Sequence, residues 1–198
     1  VRQAVSRLEL VSGRRLLVDG EVVAPRRGDV GADLYISTSS AGGGLQMVAA
    51  GLIRTYSSAS AERAALGAGA IVSRTMTITD ARLAAEAVDL IRRLRPDIVL
   101  LCGGTDQGNV PGVLTLAEYI AVADPRPRVG GGRLPVIYAG NPAARDEVGR
   151  LLGDKFDVSA VDNVRPDIEA EHLEPARNEV HRVFLEQVDR GADVDAPA

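Results

Sequence analysis

The stretch Ile98-Val-Leu-Leu-Cys-Gly-Gly-Thr-Asp-Gln-Gly-Asn109 decides the fold. An unbroken apolar run stops at two glycines, and small polar residues then lead into a helical pattern. A parallel strand covered on both faces reads as such a run, and in an open α/β sheet it ends above a ligand crevice. Just upstream, Leu83, Ala87, Leu90, Ile91 and Leu94 share one helical face, with Thr79 and Asp80 placed at its start and Pro96 at its end. Further upstream, Ala70–Thr75 and Leu34–Ser37 read as strands, and Ser60–Leu66 as a short helix stopped by Gly67 and Gly69. Leu45–Ile53, behind Gly42-Gly43-Gly44, admits either a helix or a strand antiparallel to the one before it.

Downstream the alternation continues. Val113–Val122 reads as a helix, Asp124–Arg133 as a surface loop, and Pro135–Ala139 as a strand. Asn141 caps the next helix, with Pro142 in its first turn and Leu151 and Leu152 before Gly153. Phe156–Val161 is a further strand. Pro175 opens a last helix that turns Ala176, Val180, Val183, Phe184 and Val188 inward. Right-handed crossovers then require an α/β three-layer sandwich with a mostly parallel sheet of about five strands. The pattern does not give the strand order. Ahead of it, Val1–Leu10 reads as a helix and Arg14–Val23 as a hairpin turning at Asp19-Gly20. The expected organisation is a preface and linker over 1–31, an α/β domain over 32–190 and a flexible tail over 191–198.

Composition excludes several classes of function. Net charge is −4 and aromatics are 3% of the 198 residues, so neither an electrostatic footprint for nucleic acid nor a base-stacking platform is expected. No apolar run approaches the roughly 20 residues of a membrane span, and no signal-peptide core is present. One cysteine precludes an internal disulfide framework or a thiolate metal cluster and fits a reducing, cytoplasmic setting. The first residue is a valine, as expected of a piece of a longer protein.

Chemistry in such a sheet gathers at the carboxyl ends of the strands. Five segments are expected to converge there: 39–44, 74–79, 103–109, 140–141 and 162–165. Ser39, Ser40, Gly42, Gly43, Gly44, Gly103, Gly104, Thr105, Asp106, Asn109, Asn141 and Asn163 are the candidate ligand-binding residues. Glycine-rich segments with free N–H groups suit a phosphate or carboxylate, and Thr105 and Asp106 suit a hydroxyl, a ribose or a hydrated metal ion. A structural reading stands beside each: Gly42–Gly44 as a tight turn, Asp106 or Asn109 as a helix cap, Cys102 as a buried small hydrophobe. There is no Walker A loop, the only lysine being the distant Lys155. No catalytic constellation or metal-ligand set emerges.

The order of several blocks carries a resemblance. Ser37-Thr-Ser-Ser-Ala-Gly-Gly-Gly-Leu-Gln-Met-Val-Ala-Ala-Gly-Leu52 is followed by Arg63-Ala-Ala-Leu-Gly-Ala-Gly-Ala70, then by Arg95–Asn109 and Pro135-Val-Ile-Tyr-Ala-Gly-Asn141. Asp162-Asn-Val-Arg-Pro166, Glu174-Pro-Ala-Arg177 and Val183-Phe-Leu-Glu186 close the series. From about Asp33 to Glu186 the chain resembles the MutL family that accompanies adenosylcobalamin-dependent glutamate mutase. The resemblance implies the actin/sugar-kinase/Hsp70 ATPase superfamily and a reactivating chaperone that exchanges damaged cobalamin at the expense of ATP. Its partners would be the subunits of the mutase, and ATP with magnesium would belong to the full-length protein. The family's Asp-x-Gly-Ser-Thr and Asp-Ile-Gly-Gly-Ala-Thr-Thr-Asp phosphate loops are absent. The resemblance therefore implies the middle portion of such a protein, between those loops and without ATP hydrolysis of its own.

Overall fold

The computed structural model describes residues 2–35, 45–78, 84–128 and 132–194, with side chains at 4–35 and up to 187. The chain separates into two compact units, Val1–Gly42 and Gly43–Ala198. In the first, helix α1 (Arg2–Ser12) precedes a hairpin of β1 (Leu17–Val18) and β2 (Glu21–Val22). Asp19 and Gly20 both take positive φ, 52° and 79°, as the tight turns that match strand twist require. The Glu9 carboxylate accepts from the amides of Leu16 and Leu17 at 2.6 and 2.8 Å and ties helix to hairpin.

The second unit is built on β3 (Gln46–Gly51), β4 (Ile71–Thr77), β5 (Ile98–Leu101), β6 (Pro135–Tyr138) and β7 (Asp157–Ala160). Their order is β4-β3-β5-β6-β7, and every pairing is parallel. The intervening helices are α2 (Ala59–Gly67), α3 (Ala84–Leu94), α4 (Val110–Ala123), α5 (Arg145–Leu152) and α6 (Glu174–Val194). A wide π turn, Arg54–Ser58, leads into α2, and a 3-10 turn, Pro142–Ala144, leads into α5.

Strand residues alternate between two cores, which makes the three layers. Val48, Ala50, Val99, Leu101, Val136 and Tyr138 pack with Ala87 and Ile91 of α3, Leu116 and Ile120 of α4, and Val148 and Leu152 of α5. Met47, Ala49, Ile98, Leu100 and Ile137 pack on the other side with Ala61, Ala64 and Ala65 of α2 and Val180 and Val183 of α6. The continuous apolar run of β5 thus has its physical cause: both faces are buried.

The sequence pattern located most elements. Leu45–Ile53 holds the largest departure: it forms neither a helix nor an antiparallel strand, but the central strand β3, parallel to β4 and β5. Leu34 and Tyr35 are exposed and form no strand, and the rest of the expected Leu34–Ser37 strand lies outside the described residues. Thr79, Asp80 and Leu83 also lie outside them. Helix α4 starts at Val110 rather than Val113, because Asn109 accepts from the Gly112 amide and caps it. Helix α6 continues to Val194. The loop after α4 lies on the surface with Arg126, Arg128 and Arg133 exposed, while its prolines Pro125 and Pro127 are tucked against the protein. Among the described residues no helix is long and apolar enough to cross a membrane.

Candidate functional site at the sheet switch point

The chain runs from β3 to β4 on one side, then crosses to place β5 on the other side of β3 and continues outward. Crossovers therefore diverge between β3 and β5, and a crevice opens at their carboxyl ends. A cavity of about 240 Å³ sits there, lined by Leu52, Ile53, Tyr56, Ser57, Gly104, Thr105, Gly108, Asn109, Arg165 and Ile168.

The loops around it are held by their own polar side chains. Gly103 and Gly104, at φ 144° and 67°, turn the chain away from β5. Asn163 donates from Nδ2 to the Gly104 carbonyl at 3.0 Å and to the Asp106 carboxylate at 2.9 Å, while its Oδ1 accepts from the Arg165 amide. Asn141 accepts from the Ala143 amide through Oδ1 and donates from Nδ2 to the Gly108 carbonyl at 3.1 Å. The Tyr138 hydroxyl donates to the Asn141 carbonyl at 2.6 Å, and burial pushes its pKa up. The Asp106 amide reaches the Pro166 carbonyl. The loops after β5, β6 and β7 are thus stapled into one surface.

At the end of β3 the Leu52 and Ile53 amides both donate to the Ser57 hydroxyl at 2.9 and 3.2 Å. Lys155 is engaged elsewhere, with the Ala121 carbonyl. Among the described residues the amides at the end of β3 therefore offer a triphosphate no free donor, and no lysine is near. Cys102 is fully buried in the core, and burial pushes its thiol pKa up, which removes it as a nucleophile.

Beside the cavity Glu171 accepts from Ser60 at 2.6 Å, from Arg165 at 3.0 Å and from Arg63. The Arg165 guanidinium carbon lies 5.3 Å from the centre of the Tyr56 ring, a cation–π distance. The Arg63 hydrogen bond, and next the Ser60 one, hold the Glu171 carboxyl below its ordinary 4.5. A carboxylate with a depressed folded pKa contributes stability above its unfolded pKa and loses it as pH falls through the lower folded value. The Glu171→Gln protein is therefore expected to be less stable than wild type near pH 6, with the gap narrowing as pH falls below 4.5. Urea midpoints of both proteins in the two pH ranges check this, and an unchanged gap would refute it.

Of the residues singled out in the sequence, Gly104, Thr105 and Asn109 line the cavity. Gly103, Asp106, Asn141 and Asn163 build the loops around it. Ser39, Ser40, Gly42, Gly43 and Gly44 lie outside the described residues. Arg165 lies in the expected converging segment 162–165, whereas Leu52, Ile53, Tyr56, Ser57 and Ile168 were not foreseen as cavity walls. Recognising Leu45–Ile53 as a parallel strand would have pointed to the first three, since they follow its carboxyl end.

Comparison with known proteins agrees with the block order. The model of the family described as MutL protein matches residues 1–196. A curated relative, Protein MutL from Clostridium tetanomorphum, is 36% identical over 155 residues, 77% of this chain and 31% of that protein. The chain therefore spans about a third of the length of the curated relative it matches. With a family match along nearly its whole length and this level of identity, the chain belongs to the MutL protein family.

Proposed function

We propose that this chain is the non-catalytic portion of a MutL protein that serves an adenosylcobalamin-dependent mutase of the glutamate mutase type as a reactivating chaperone. In this reading it offers the mutase subunits a rigid face at the carboxyl ends of its strands, and ATP hydrolysis belongs to other parts of the longer protein. The stapled loop network supports it: the asparagines there hold loops together, and no activated nucleophile or base stands among the described residues at the crevice. The chain is expected to be retained by immobilised mutase subunits and to hydrolyse Mg-ATP no faster than buffer. Turnover by the isolated chain that disappears in Asp106→Ala would overturn the non-catalytic reading, and failure of the subunits to retain the chain would overturn the partner.

The cavity favours a second reading, a small-ligand-binding unit. A nucleotide and a corrinoid are the alternative ligands for such a unit. At about 240 Å³ the cavity falls below the roughly 300–1,000 Å³ of drug-sized sites, and a corrin macrocycle does not enter it.

A further inference from the structure

We propose that the cavity over the β3–β5 switch point binds a small carboxylate carried on a single ring. The proposal rests on the ligand-binding reading above and is independent of the mutase. Size sets the ring: about 240 Å³ admits one ring and a short substituent. The walls set its polarity. Leu52, Ile53, Tyr56 and Ile168 present apolar surface, with Ile53, Tyr56 and Ile168 at 54, 43 and 61% exposure. These are large side chains left open to water beside a formed cavity, the arrangement expected where a ligand supplies the missing contacts.

The polar groups set the charge. Asn109 must accept from Gly112 through Oδ1 to cap α4, so the group it has left is Nδ2, a donor. Thr105 adds a hydroxyl with no protein partner among the described residues. Arg165, a wall of the cavity, adds the positive charge of a guanidinium bonded through Nη1 to Ser60 and Glu171. Glu171, the carboxylate nearest this guanidinium, faces two arginines, Arg63 and Arg165, so the pair is not neutralised by it. Asp106 is turned to Asn163. Donors therefore outnumber acceptors at an apolar cavity, which is the complement of a ring bearing a carboxylate. The Arg165 head is already fixed over Tyr56 and on Glu171, so little side-chain freedom remains to be lost on binding.

Benzoate is the probe, with benzyl alcohol keeping the ring without the charge and acetate the charge without the ring. In amide NMR spectra of the ¹⁵N-labelled chain, benzoate is expected to shift 52–57, 104–109 and 165–168 at millimolar concentration. Benzyl alcohol and acetate should bind about tenfold more weakly or worse. Asn109→Asp retains an oxygen to cap α4 but replaces the donor with a carboxylate, and should weaken benzoate about tenfold with thermal stability kept. Thr105→Val, which touches no cap, should weaken it about threefold. Absence of benzoate shifts at tens of millimolar, shifts confined to other surfaces, or equal shifts from benzyl alcohol would each overturn the proposal. Retention by the mutase subunits is read separately, so failure of one test does not pass for failure of the other.

Discussion

Replacing Asp97 with alanine is expected to lower the stability of the second unit by about 2–4 kcal/mol, at about 1–2 kcal/mol for each of two partly buried backbone N–H groups left without an acceptor. Asp97 immediately precedes β5 and is 1% exposed. Its Oδ2 accepts from the Gln46 amide at 2.9 Å and from the Arg128 guanidinium at 3.1 Å, while Oδ1 accepts from the Arg128 amide at 3.1 Å. One carboxylate thus fastens the start of β3 and the loop after α4 to the foot of β5. Alanine strands two backbone N–H groups and a guanidinium. Asparagine is no remedy: the two amides sit on different oxygens, and an amide side chain offers an acceptor to only one of them. Thermal melts should show Asp97→Ala down by roughly 4–16 °C, at about 2–4 °C per kcal/mol for a chain of this size, with Asp97→Asn in between. A fall of less than about 2 °C in the alanine variant would show that the clamp contributes little.

Gly103→Ala is the second large effect, about 2–6 kcal/mol of destabilisation from two causes that add. At φ 144° an L side chain is strained, at about 1–3 kcal/mol. The new Cβ would also lie 2.8 Å from Cγ of Leu52, a buried side chain packed into the core, so overpacking adds about 1–3 kcal/mol. Leu52 is also a cavity wall, so its displacement should weaken benzoate binding. Gly149→Ala is the control. It lies inside α5 with nothing within 4 Å of the added Cβ, and alanine there should raise stability by about 0.5–1 kcal/mol. Urea unfolding of the two variants beside wild type gives both signs in one experiment. A neutral Gly103→Ala would refute the close approach to Leu52.

The residues whose meaning was legible in the sequence are those governed by local rules. Helix α3 followed from the spacing of Ala87, Leu90, Ile91 and Leu94, and β5 from an apolar run that only two-sided burial explains. Asn141 before Pro142 announced a helix start, while the cap of α4 was left between Asp106 and Asn109. What stayed hidden depends on partners far along the chain. Nothing between Leu45 and Ile53 tells whether that strand lies at the edge or the centre, because the answer rests on Ile71–Thr77 and Ile98–Leu101. The same non-locality hid the Leu52–Ser57 wall of the cavity, although a crevice at the strand ends was expected. Asp97 looked like the first residue of a strand, and its role appears only when Arg128 folds back on it. Asn163 read equally well as a ligand group or as a structural one, since its sequence neighbours do not contain the Gly104 carbonyl it holds.

The central position of β3 has a consequence for how the polypeptide is made. The first strand of the sheet to leave the ribosome is the one that needs two neighbours, and its second neighbour arrives late: Gln46 and Asp97, clamped together in the finished protein, are 51 residues apart. At about 5–20 residues per second, the nascent Gln46–Gly51 segment waits roughly 3–10 s with one flank unprotected. Parallel pairing across such separations is also slow in itself. Production at lowered temperature or with slowed translation would lengthen that interval, so the yield of soluble chain should respond to synthesis rate more than its equilibrium stability suggests.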